Sequence, residues 1–337
     1  MAAPDTTAAR RRLDRADSLL AQAASRDRNW VEPIVRRGWL AYRRLDLVGN
    51  ALDQSYADPW LQRGLEHAER AVKQSPKDAG ALELRGTLRY WRYVLNLVPS
   101  RDANAVLAAV EQDLSAATAT DPNQAFALTV QSHMFMGQSR TAEAKNAALR
   151  AYEADPYLVT ATTTLWRLFQ ASLDLGDAVE SVRWCAEGQQ RFGGDPRFIE
   201  CQLWLYSLKG QEPDVPKAWR LLEEYERAWS PAEREFRRRY GQMIVAIALV
   251  RAGRPDSALG VAERARAGSD VDPTRDLAYL EAIVHNLIGD GEEAIRLLNT
   301  YYATNPQLRA SLAKDETWWF RNLRDDPRYK ALAGVRS

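Results

Sequence analysis

The side chains able to perform acid–base, nucleophilic or metal chemistry are few and scattered. Three histidines, His67, His133 and His285, stand 66 and 152 residues apart. No HExxH, GxSxG, glycine-rich phosphate loop or Cys/His ligand set gathers them. Catalysis needs titratable groups held together in a pocket, so we expect no enzyme, no catalytic residue, no metal site and no cofactor. Cys185 and Cys201, sixteen residues apart in apolar surroundings, have neither metal-ligand spacing nor the numbers of a disulfide framework. They read as buried small hydrophobes.

Two basic runs, ARRRLDR (9–15) and REFRRRYG (234–241), carry guanidinium groups that could grip phosphate, and Tyr240 beside three arginines could stack a base. Acidic residues interrupt both runs. Lys plus Arg number 46 against 45 Asp plus Glu, a formal net charge of +1, so bulk attraction to polyanions is absent and no nucleic-acid partner is expected. No apolar run reaches the roughly 20 residues that a membrane span needs. The opening segment MAAPDTTAARRRLDRADSLL lacks the apolar stretch of a secretory signal. The expectation is a soluble chain with no signal peptide and no membrane span, its compartment left open. What stands out instead is eleven tryptophans, a high number for this length, many of them expected to fill the core.

These side chains must be positioned by a repeated element. Pro76, Pro122, Pro156, Pro196, Pro231, Pro273 and Pro306 follow Ala-rich amphipathic runs at separations of 46, 34, 40, 35, 42 and 33 residues. Between them small residues recur. In the last unit Ala282 is followed by Gly289, Ala294 and Pro306 at offsets of seven, twelve and twenty-four. Ala246, Gly253 and Ala258 keep the same first steps, and Ser132, Ala144 and Pro156 keep the twelve and the twenty-four. Paired helices approach closely only where side chains are small. A left-handed glycine ends the first helix without steric cost, and proline ends the second.

The pattern resembles the tetratricopeptide repeat. That resemblance implies an all-α fold, a right-handed superhelix (α-solenoid) of about seven helical hairpins with N- and C-terminal caps, because each hairpin leaves apolar faces that only a neighbour covers. We expect one solenoid over residues 1–337: a capping helix at 6–25, seven repeats over 31–308 and a closing segment at 309–337. Gly38 and Gly86 stand at the small first-helix position of two units whose prolines come late. The surplus is expected between the helices, near 46–58 and 94–102, as a lengthened first helix or a loop. Phe169 and Leu203 replace the small residue in two degenerate units, whose hairpins are expected to splay. The closing segment ETWWFRNLRDDPRYKALAG is similar to that of tetratricopeptide arrays in bacterial multidomain kinases and cyclases.

In this family the first helices line a concave groove. Carrying its exposed stripe over unit by unit selects Trp39, Tyr42, Arg43, Tyr90, Trp91, His133, Trp166 and Gln170 as partner-binding residues. Met243, Ile247, Ile283 and Leu287, the matching face of later units, should pack on itself. The Lys and Asn grip that chaperone-type members use is absent, since Val35, Trp39, Glu83 and Thr87 occupy its positions. The implied function is a non-catalytic protein- or peptide-binding scaffold, an adaptor or sensory module of a bacterial signalling system. A small-molecule or lipid sensor with an aromatic pocket between repeats is the alternative.

Overall fold

A computed structural model describes residues 6–47, 54–313 and 317–334. After α1 (Thr6–Arg26) come seven consecutive hairpins. They are α2 (Glu32–Arg43) with α3 (Gln54–Gln74), α4 (Ala79–Val94) with α5 (Ala103–Thr120), α6 (Ala125–Gly137) with α7 (Thr141–Ala154), and α8 (Ala161–Leu175) with α9 (Ala178–Phe192). Next are α10 (Pro196–Leu205) with α11 (Val215–Ala228), α12 (Pro231–Arg251) with α13 (Pro255–Ala265), and α14 (Asp276–Ile288) with α15 (Gly291–Thr304). Two short helices, α16 (Arg309–Leu312) and α17 (Pro327–Leu332), follow, and the described residues contain no strand. By its contacts the chain divides into two compact units, residues 1–134 with 150–160, and residues 135–149 with 161–337.

Helix ends obey local chemistry. Asp78, Asp177, Asp214 and Asp290 each accept a hydrogen bond from a backbone N–H three residues on, at the starts of α4, α9, α11 and α15. An aspartate at that position satisfies one of the donors a helix start leaves unpaired. Gly253 and Gly289 adopt φ of +70° and +92° at the ends of α12 and α14, as their offset of seven requires. In the third hairpin Gly137 lies two residues early, and Ser139 takes the left-handed conformation at φ +56° instead, while Arg140 N–H donates to Phe135 O at 2.9 Å. The prolines divide into two roles. Pro76, Pro122 and Pro156 sit in turns after a helix, whereas Pro196 and Pro231 begin α10 and α12. At a first helical position the missing N–H has no partner to lose.

In the first unit Gly38 of α2 meets Gly64 of α3. A methyl carbon on either would lie 3.3 Å from the other's carbonyl oxygen. Arg85 and Arg89 of α4 both donate to the buried Asp113 of α5, at 2.9 Å each. Helix α1 lays the half-buried stripe Leu13, Ala16, Leu20 and Ala23 against this unit, where Asp17 accepts from Arg37 at 2.7 Å and Arg63 at 3.2 Å. Part of the surplus lies in long connections between the helices, from Arg43 to Gln54 and from Val94 to Ala103, and the rest lengthens the second helices, α3 at 21 residues and α5 at 18. Part of the expected 46–58 insertion, residues 48–53, lies outside the described residues.

In the second unit α8 packs on α9 as closely as α12 on α13, so the splay expected from Phe169 does not occur there. Phe169 is fully buried, and the second helix supplies a small buried residue, Ser181, twelve positions on. Cys185 and Cys201 are bonded to each other across the turn between α9 and α10, with Cα atoms 5.7 Å apart. This corrects the reading of two independent thiols. Both cysteines lie eight residues from Gly193 at the turn, and antiparallel helices bring such equidistant positions together. Gly188 and Phe198, each five residues from Gly193, meet for the same reason.

The closing segment belongs to this unit's interior. Trp319, Phe320, Leu323, Tyr329 and Leu332 are buried. Asn286 of α14 donates to Trp319 O at 2.7 Å and to Asn322 Oδ1 at 2.8 Å. The same stretch of chain reaches α8, where Trp318 N–H donates to Asp174 O at 3.0 Å and Trp318 Nε1 to Leu173 O at 2.9 Å.

The left-handed serine yields a prediction. Side chains with a Cβ are strained at positive φ, and glycine is not. Ser139→Gly should raise the unfolding free energy by about 0.5–1 kcal/mol, read as a higher urea midpoint with unchanged slope. An unchanged or lowered midpoint would show that Ser139 bears no strain.

Candidate functional site

Five of the eight residues selected from sequence come together in the first unit, on the first helices α2, α4 and α6. Trp39 and Tyr42 of α2 meet edge to face at 5.7 Å between ring centroids. Tyr42 lies 6.5 Å from Trp91 of α4, and Trp91 stacks on the His133 ring of α6 at 6.1 Å and 23°. A hydrogen bond of 2.5 Å joins the Tyr90 hydroxyl to His133 Nδ1. Trp39, Tyr42, Trp91 and His133 are half-buried and Tyr90 is buried. Offset and edge-to-face contacts of this kind hold rings in fixed orientations. Arg43 stands apart from the rings, exposed and 3.6 Å from exposed Asp46. Such a pair contributes little to stability.

Phe126 of α6 completes the cluster and escaped the sequence reading. Its ring lies 5.3 Å from Trp39 and 6.2 Å from Tyr42, edge to face. It is seven residues before His133, on the same helical face, so extending the stripe by two turns finds it. Helix α6 is held in place by a buried carboxylate, because Glu83 of α4 accepts from Ala127 N–H at 2.8 Å. Burial pushes the Glu83 carboxyl up to about 7, with Asp121 adding to the rise and the Ala127 hydrogen bond opposing it. Val35 and Thr87, at the positions of the chaperone-type grip, are core.

Trp166 and Gln170 fall in the second unit. There they line a cavity of about 300 Å³ together with Phe169, Leu173 and Asp174 of α8, Trp204 of α10, Tyr240 of α12, Asp276, Tyr279, Leu280 and Ile283 of α14, and Thr317 and Trp319 of the closing segment. Trp204 and Trp319 stand 5.5 Å apart at 58°. Asp174 Oδ1 accepts from Trp319 Nε1 at 2.8 Å. Behind the wall Glu200 of α10, fully buried, accepts from Tyr225 OH at 2.8 Å and Trp204 Nε1 at 3.2 Å. Desolvation raises its proton affinity, against those hydrogen bonds and the Arg237 charge. Met243 and Ile247, by contrast, are wholly buried.

Two of the cavity residues sit at a shared offset. Tyr240 and Asp276 each precede the small residue of their unit, Ala246 and Ala282, by six, as Phe126 precedes Ser132. The basic run around Tyr240 is spent internally, with Arg238 and Arg239 paired to Glu235 and Arg237 lying 4.0 Å over the Trp229 ring. Tyr240 faces the cavity rather than a surface where a base could stack. Among the described residues no group of three or more His, Cys, Asp or Glu could hold a metal ion, and no helix is long and apolar enough to cross a membrane.

No protein-family model matches the sequence, and no curated protein does. Solved structures do match. A tetratricopeptide repeat protein from Parabacteroides merdae aligns with 90% of this chain and 98% of its own at 12% identity, with a TM-score of 0.53. The Cut9–Hcn1 hetero-tetramer of the APC/C aligns with 96% of this chain and 58% of that one, at 13% identity and a TM-score of 0.47. The human IFIT1 dimer with m7Gppp-AAAA aligns with 98% and 75%, at 12% identity and 0.43. The first shows the fold: these hairpins are tetratricopeptide-like.

Glu83 makes the site's support testable by pH. Burial holds its carboxyl at about 7, above the ordinary glutamate value of 4.5, so the folded chain keeps a proton that the unfolded chain releases. That contribution is complete below pH 4.5 and is lost as pH rises through 7. Glu83→Gln keeps an acceptor for Ala127 N–H and removes the titration. From pH 5 to pH 8 the variant should gain stability relative to the parent by roughly 2–3 kcal/mol, since each tenfold difference in proton affinity amounts to about 1.4 kcal/mol. Parallel urea-unfolding profiles at the two pH values would refute it.

Proposed function

We propose that the chain is a non-catalytic scaffold that binds a protein or peptide through the face of first helices α2, α4 and α6, with Trp39, Tyr42, Trp91 and His133 as its anchors and Arg43 at the rim. The observation that carries this reading is the half-buried state of four mutually packed rings on consecutive first helices. A ring cluster needed only for the core would be covered. Aromatic side chains offer large contact area with few rotors, and partly desolvated Trp, Tyr and Arg side chains dominate recognition energetics. The likeness of the closing segment to arrays of bacterial signalling proteins favours an adaptor or sensory role.

The test needs no prior partner. A random-peptide phage library is panned on the full chain, and enriched peptides are measured by fluorescence anisotropy on the parent and on Trp39→Ala, Trp91→Ala and Trp166→Ala. At least one of the first two should lose about 30-fold in affinity, equivalent to roughly 2 kcal/mol, while Trp166→Ala, in the other unit, changes little. A single-stranded RNA oligomer should not displace the peptide. Peptides that bind both first-unit variants like the parent, or that RNA displaces, would place the function elsewhere.

A further inference from the structure

We infer that the exposed flank of α1 docks the chain on an anionic membrane surface, with its arginines against the lipid headgroups. The inference stands apart from the peptide reading, which uses α2, α4 and α6. Arg11, Arg15, Leu19, Gln22 and Arg26 follow one another at intervals of four, four, three and four residues, which sets them in one line along a helix. All five are exposed. At 1.5 Å per residue the line runs about 22 Å. The half-buried stripe Leu13, Ala16, Leu20 and Ala23 fastens the helix to the hairpins and leaves this line at the surface.

The charge of the helix is one-sided. From Thr6 to Arg26 there are five arginines and two acidic residues, Asp14 and Asp17. Both carboxylates are committed to other helices and turns of the unit, Asp14 to Arg44 and Asp17 to Arg37 and Arg63. A local excess of positive charge therefore stands on a chain whose formal net charge is only +1. The field beside the helix is positive as well. His67 of α3 is held down to about 4, first by burial and then by Arg37 and Arg70, with Asp17 opposing and Arg63 adding. Charge alone would suit any polyanion, and two apolar side chains favour a membrane. Leu19 is 56% exposed in the middle of the line, and Trp30 is 51% exposed in the turn after the helix. A phosphate backbone offers an aliphatic side chain little to bury against. The boundary between headgroups and acyl chains takes in Leu and Trp while arginines reach back to the headgroups. Attraction between basic residues and an anionic leaflet adds to this and fades within a Debye length.

Flotation of the full chain with vesicles of phosphatidylcholine alone, and of phosphatidylcholine mixed with phosphatidylserine, tests the docking. The chain should partition at least tenfold more strongly onto the anionic vesicles, and raising sodium chloride to about 1 M, where the Debye length is ~3 Å, should release it. Arg11→Gln combined with Arg15→Gln should weaken binding to the anionic vesicles at least tenfold. Leu19→Gln, which keeps helix propensity, should weaken it at least threefold. Both variants should unfold at the parent's urea midpoint, since the altered side chains are exposed. Equal partition onto the two kinds of vesicle, or onto neither, overturns the inference without relying on any variant. So does release of the chain from the vesicles by a uridine oligoribonucleotide or by polyglutamate at the lipid's own concentration of charge, which would make the line a nucleic-acid or acidic-protein contact. Unchanged flotation of either variant overturns it too.

Discussion

The constraint on which the structure depends is how near two helix backbones can come. Where Gly38 meets Gly64, each would place a methyl carbon 3.3 Å from the other's carbonyl oxygen, which is tight packing for any side chain. Gly86 against Leu114 repeats the arrangement within a hairpin with one large partner, and Gly188 against Phe198 repeats it between successive hairpins. Close approach at these points turns a pair of amphipathic helices into a hairpin with defined faces. The interior tolerates little change of volume. It follows that side chains on the first helices are sorted sharply. Val35, Thr87 and Met243 go into the core, while Trp39, Tyr42 and Trp91 are left at its margin.

Stacked hairpins contact mainly their neighbours, so most of the order in such a fold is local. The second unit adds a long-range tie. Trp318 and Trp319 hydrogen-bond to Leu173 and Asp174, 145 residues earlier in the chain, while Asn286 binds the same segment from α14. The tie turns a run of hairpins into an enclosure, and the cavity exists because one of its walls comes from outside the repeat. Cys185 and Cys201 make a second, covalent tie between α9 and α10. Removing such a cross-link releases conformational freedom mainly in the unfolded chain.

Much of this was legible in the residues. Gly253 and Gly289 mark helix ends because only glycine adopts their φ without strain, and the small residues at offsets of zero and twelve mark the hairpins. Ser139 hid the third hairpin's end, since a serine in the left-handed region leaves no compositional sign. Phe126 and Asp276 were missed, and Tyr240 was read for base stacking rather than as a lining residue, because the stripe was stopped at the small residue's own turns, although all three share the offset of six. The Cys185–Cys201 bond was recoverable from the symmetry of both residues about Gly193, once the turn between hairpins is taken as the centre. Trp319 carries no periodic signal. Its place beside Asp174 is a tertiary fact that the repeat pattern does not encode.

The central claim is that certain tryptophans of the first helices border an accessible space rather than fill the core. Fluorine NMR of the full chain labelled with 5-fluorotryptophan, assigned by single Trp→Phe changes, reads this directly as the resonance shift on exchanging H2O for D2O. Trp39, Trp91 and Trp166 should shift clearly while Trp184, 1% exposed, does not. Shifts at Trp39, Trp91 and Trp166 no larger than that of Trp184 would make them core residues and contradict the claim.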